Sequence, residues 1–211
     1  NTYSNSDSVI YTSARGNGVP SSTAQIAESE LQGNGAARAN AEITSNTGFT
    51  FTFIISGTGS LALSFEADPS LYAEINQLAF TSGAAQANMN ASFSLTKNDD
   101  TAGVNWRPNG TATSDCSVTG VGVTCVEDND NADLNQNLSV TSNPATVQYS
   151  RAAGWSLMGI TVNGLTDGAW TLAFNGVTST SVRTVPEPSA LALLGIAIAG
   201  MGAVSRRRKL V

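Results

Sequence analysis

One block constrains the fold more than any other: Phe49, Phe51, Phe53 and Ile55 alternate with Thr50, Thr52 and Ile54. A period of two places every second side chain on one face of an extended strand, so an aromatic row here demands a buried sheet surface opposite it. Ser56-Gly57-Thr58-Gly59 supplies turn residues, after which Leu61, Leu63 and Phe65 repeat the alternation. The two runs are predicted to pair as a β-hairpin.

The same rhythm recurs along the chain. Val9-Ile10-Tyr11-Thr12 has strand composition, and further short strands are expected around Phe93 and Leu95, Val104 and Trp106, Leu138 and Val140, and Val147 and Tyr149. Trp155-Ser156-Leu157 with Ile160 and Val162 forms another, and Trp170, Leu172 and Phe174 the next, joined through Asn163-Gly164 to Gly168. Asp68-Pro69 before Ser70 to Ile75 has the look of a helix N-cap with proline at the first helical position, which predicts one or two turns of helix there. The fold class expected is therefore all-β, an antiparallel β-sandwich of jelly-roll or immunoglobulin-like order, with a short helix and a C-terminal hydrophobic helix.

Composition narrows the setting. Charged residues are only 12% of the 211, and Ser, Thr, Asn, Gly and Ala fill the difference, as in secreted β-rich proteins. Residues 1–184 suit one extracellular domain. They hold 6 of the 10 basic residues and 15 of the 16 acidic ones, a net charge near −9 that argues against nucleic acid as a partner. Asn1 is not preceded by a charged or apolar leader, and the expectation is that a secretory signal has been removed.

The chain contains no histidine. Acid–base chemistry would fall to carboxylates, and pairs such as Glu66 with Asp68 or Glu42 with Glu74 are not selected by any motif. No nucleophile elbow, phosphate loop or dinucleotide fingerprint occurs, so no enzymatic function is expected. Cys116 and Cys125 bracket eight residues, and an exported protein would join them as a disulfide across a hairpin or excursion loop. Two thiolates without further nitrogen or sulfur ligands cannot complete a zinc site.

Directly after Cys125 comes the densest acidic stretch, Glu127-Asp128-Asn129-Asp130-Asn131-Ala132-Asp133. Oxygen ligands at this density suit calcium, although the spacing departs from the EF-hand loop. A solvated acidic loop is the simpler reading. No cofactor is expected beyond a weak structural calcium, for which Glu127, Asp128, Asp130 and Asp133 are the candidate ligands.

The C-terminus has three parts with distinct physics. Val185-Pro186-Glu187-Pro188 is locked into extended backbone by its two prolines. Residues 189–205 carry no charge, and about 17 residues is the lower limit for a transmembrane helix. Arg206, Arg207, Arg208 and Lys209 form a cationic stop that would stay on the cytoplasmic side. In order and spacing this stretch resembles the PEP-CTERM sorting signal, which in that family is recognised by the membrane protease exosortase. The resemblance covers residues 185–211 alone. It implies that Val185, Pro186, Glu187 and Pro188 are the recognition motif, that the inner membrane holds the chain before processing, and that the product goes to the cell surface or extracellular matrix of an exopolysaccharide-producing bacterium. The function expected is a structural contribution to biofilm or floc matrix. A carbohydrate-binding module, using Trp106, Trp155, Trp170 or Tyr149 as platforms, is one alternative, although alternation favours Trp155 and Trp170 as core residues. A self-associating fibre subunit is the other.

Overall fold

The computed structural model describes residues 2–12, 21–31, 40–76, 82–111, 115–141, 144–150, 155–185 and 196. Their order is β1 (Thr2–Thr12), β2 (Ser21–Leu31), β3 (Asn40–Ile55), β4 (Gly59–Ala67), β5 (Ser70–Ile75), β6 (Ser82–Lys97), β7 (Gly103–Trp106), β8 (Cys116–Thr119), β9 (Thr124–Asp130), β10 (Asn137–Val140), β11 (Ala145–Ser150), β12 (Ser156–Leu165) and β13 (Gly168–Val185). All pairings are antiparallel. The sandwich expectation therefore holds.

One layer is a six-stranded sheet in the order β3-β13-β6-β7-β8, with β10 also pairing β6. Facing it are two smaller sheets, β4-β12-β9 and β5-β11, and β1-β2 forms a separate two-stranded ribbon. The long strands β6 and β13 run under both smaller sheets, so the sandwich has two cores. The larger core centres on Phe93, Trp106, Met158, Val162, Leu165 and Trp170. Its aromatic rings interlock: Phe93 lies 4.8 Å from Phe174, 5.0 Å from Phe65 and 5.4 Å from Trp106 by ring centroids. Tilted and edge-on contacts at such spacing add about 0.5–1.5 kcal/mol each beyond area burial. The smaller core joins Leu71, Ala73 and Ile75 of β5 to Ala85 and Ala87 of β6, with Leu138 and Val140 of β10. Alanines on β6 let the short sheet approach closely there.

Three expectations are corrected. Residues 70–75 are a strand and no helix: Leu71, Ala73 and Ile75 are buried while Ser70, Tyr72 and Glu74 are exposed. That strict alternation, and the register with β11 that it permits, overrides the capping signal of Asp68-Pro69. The two aromatic-rich runs do not pair with each other. β3 pairs β13 and β4 pairs β12, so the turn at Ser56 to Thr58 crosses from one layer to the other. Gly57 makes that crossing at φ 80° and donates its N–H to Asp167 Oδ1 at 3.0 Å. Finally, Trp155 is 68% exposed. The inward set of β12 is Ser156, Met158, Ile160 and Val162, which leaves Trp155 and Leu157 out of phase and facing solvent.

The predicted C-terminal hydrophobic helix falls outside the described residues except for Ile196. Among the described residues, no helix is long and apolar enough to cross a membrane.

Candidate functional site: a seam between the sheets and the segment after the last strand

Cys116 opens β8 at the edge of the large sheet, and Cys125 lies in β9 at the edge of the facing sheet. Their disulfide spans a Cα–Cα distance of 6.2 Å. Of the two settings expected for it, a hairpin or an excursion loop, the hairpin is not found: β8 pairs β7 and β9 pairs β12, so the bond closes an excursion between the layers and staples them to each other. The intervening residues turn through Gly120 and Gly122, both at positive φ.

The acidic stretch continues this seam. Cys125, Glu127 and Asp130 stand opposite Val162, Ile160 and Met158, the buried set of β12. Glu127 and Asp130 are three residues apart and would face opposite sides of a regular strand. They share a side because the register slips between Gly159 and Ile160, leaving Asp128 as an extra residue. A β-bulge of this kind re-aims the side chains beyond it.

Each inward carboxylate has one oxygen tied to backbone. Glu127 Oε1 accepts from the Asp115 N–H at 2.9 Å. Asp130 Oδ2 accepts from the N–H groups of Asn109 and Gly110 at 2.9 and 3.0 Å. The turn must be glycine at 110: φ is +76°, and a Cβ there would lie 2.9 Å from the Asp133 nitrogen. The second oxygens, Asp115 Oδ2, Glu127 Oε2 and Asp130 Oδ1, are buried and have no hydrogen-bond partner. Oxygens from the three residues lie within 4.8 Å of one another. Desolvation raises the pKa of all three, and their mutual repulsion adds to it; for Asp115 the added repulsion comes from Asp133.

Of the four candidate calcium ligands in the sequence, the structure thus brings Glu127 and Asp130 together and adds Asp115. Asp128 faces outward and accepts from the Thr161 hydroxyl at 2.6 Å. Asp133 has both oxygens engaged, by the Asn135 N–H and the Gln136 amide, while its own N–H donates to the Tyr149 hydroxyl. Asp115 was missed because it lies on the far side of the disulfide loop, 12 residues before Glu127. Its position beside a cysteine that bridges to the acidic strand is the sequence signal for it.

The aromatic candidates separate as well. Trp106 and Trp170 are 0% exposed, and Trp170 donates its indole N–H to the Thr166 carbonyl at 2.9 Å. Trp155 remains as the solvent-facing tryptophan among the described residues.

Val185 pairs Ser82 and closes β13. The sheet stops there for a reason legible in the residues: Pro186 and Pro188 lack the N–H that a central strand must donate. Val185 thus hands directly from β13 to the Pro-Glu-Pro segment. Pro186, Glu187, Pro188 and the basic residues Arg206 to Lys209 lie outside the described residues.

No curated protein matches the chain in sequence. Among solved structures, that of infectious bursal disease virus Gx strain is 14% identical over 79% of this chain and 46% of its own, with a TM-score of 0.15. The VP2 subviral particle of infectious bursal disease virus is 12% identical over 78% of this chain and 45% of its own, with a TM-score of 0.10. The chain spans less than half the length of these structures, and superposition this poor carries no argument about fold or function. Residues 184–209 match the PEP-CTERM protein-sorting motif. The motif supports an exported protein that carries its sorting signal at the C-terminus.

Proposed function

We propose that the body, residues 1–184, serves as structural material of the cell surface or extracellular matrix, contributing to exopolysaccharide-rich biofilm or floc cohesion once exosortase has acted. The observation that carries this reading is the sorting motif at residues 184–209, which begins where the last strand ends. Separation at Pro-Glu-Pro would leave all thirteen of the described strands with the exported part. A disulfide between the layers suits an oxidising exterior, and a net charge near −9 keeps the body soluble there.

Two narrower readings each rest on one feature. The exposed Trp155 is the described tryptophan on which a sugar could stack, which supports a carbohydrate-binding role. The terminal position of β3 in its sheet, with Phe51 54% and Ile54 77% exposed, supports self-association through that edge.

The test replaces Pro186, Glu187 and Pro188 together by alanine in the native bacterium. Retention of the protein in the membrane fraction, with aggregate cohesion falling to the level of a deletion strain, is the expected result. A deletion strain with unchanged cohesion would contradict the matrix role. Trp155→Ala, assayed by retention on purified exopolysaccharide, separates sugar binding from cohesion by other means.

A further inference from the structure

The seam holds a feature that sorting and matrix duty do not use. Three carboxylates from both layers converge; Glu127 and Asp130 each have one oxygen held by backbone N–H groups, and each of the three has an oxygen buried without a partner. Among the described residues no lysine or arginine forms an ion pair with any of them. A group of like charges assembled this closely, without a cationic side chain, is costly in the absence of a counter-ion.

The spacing fits one ion. Oxygens within 4.8 Å of one another leave a common centre no farther than about 2.8 Å from each, which small side-chain adjustments bring to the roughly 2.3–2.6 Å of calcium–oxygen bonds. A second, independent observation lies behind the carboxylates. Trp106 is completely buried, its indole nitrogen has no hydrogen-bond partner, and it lies near enough to Glu127 to favour that group's ionised form. An indole N–H needs an acceptor, and a carboxylate held in place by a cation supplies one. Donors behind ligating carboxylates are a regular part of metal sites.

We propose that Asp115, Glu127 and Asp130, backed by the indole N–H of Trp106, form a calcium site that ties the two sheets together beside the Cys116–Cys125 disulfide. The proposal departs from the sequence expectation in its ligands and in its purpose. Asp115 precedes β8 of the large sheet, and Glu127 and Asp130 belong to β9 of the facing one, so the ion crosses between layers. With three protein side chains among the six to eight oxygens that calcium takes, water completes the shell and the affinity falls in the range of extracellular modules, about 10⁻⁴–10⁻³ M.

The test uses the full oxidised chain, stripped of metal and titrated with calcium chloride, and with terbium as a luminescent substitute. One equivalent is expected to bind, and Tm is expected to rise by about 3–6 °C at a calcium concentration ten times Kd. Terbium emission should be sensitised on tryptophan excitation, because Trp106 adjoins the site, and excess calcium should quench it by displacement. Asp115→Asn with Glu127→Gln should abolish the calcium shift and the terbium signal. That variant should melt no lower than the metal-free parent, since it relieves repulsion, which separates lost binding from lost folding. Absence of any calcium-dependent shift in the parent, or the same shift in the double variant, would overturn the proposal.

Discussion

The two lateral edges of the sandwich are built by opposite means. At the β8/β9 edge the layers are joined by a disulfide, by the Asp115 N–H on Glu127, and by Asp130 holding Asn109 and Gly110. At the β3/β4 edge they are joined by the short crossing at Ser56 to Thr58, and apolar side chains stand in solvent: Phe51, which stacks on Phe53 at 5.9 Å, and Ile54. The first edge is closed by directional bonds and suits a body that must survive outside the cell. The second is closed by a chain crossing with a hydrogen bond from the Gly57 N–H to Asp167, and by incomplete burial, and is the face on which another molecule could add. Strand ends and turns decide which kind of edge results; the interior between them is the same aromatic core.

Breaking the core just inside the stapled edge should have the largest effect. Met158 is fully buried opposite Asp130, and Met158→Ala is expected to cost about 2–5 kcal/mol in chemical denaturation. Next comes the staple: reducing the disulfide, or Cys116→Ala with Cys125→Ala, removes a short-loop crosslink worth about 2–3 kcal/mol. Thermal melts with and without reductant check this. A smaller effect at the same edge is pH-dependent. The folded-state pKa values of Asp115, Glu127 and Asp130 are raised, so the folded chain holds protons that the unfolded chain has lost. Stability of the metal-free protein should therefore increase as pH falls toward the ordinary carboxylate range, and melts across that fall should show a weaker trend in the Asp115→Asn, Glu127→Gln variant, which retains Asp130 alone of the three. Smallest is the open edge: Phe51→Ser is expected to change stability by under about 1 kcal/mol, because that ring is already half in water. Sedimentation of the same variant would show reduced self-association if the β3 edge is the assembling one.

What the sequence revealed follows from what is local. The period-two rows of Phe49, Phe51 and Phe53 and of Leu61, Leu63 and Phe65 are faces of single strands, and both were legible. Which strand lies beside them was not, because a tight turn is compatible with a hairpin or with a crossing between layers, and only the pairing with β12 and β13 decides. Ser70 to Ile75 carried a readable alternation that Asp68-Pro69 obscured. The carboxylate trio depended on a one-residue bulge at Asp128 and on a bond between layers, neither of which leaves a periodic trace. The sorting segment was readable throughout, since a linear motif is recognised as a peptide and needs no fold to assemble it.

Intact mass of the protein recovered from its native cell surface tests the central claim most directly. A chain terminating beside Pro188 and two hydrogens lighter than its reduced formula, from the closed Cys116–Cys125 bond, is the predicted species. A chain that still ends in Val211, or one with both thiols free, would contradict the account.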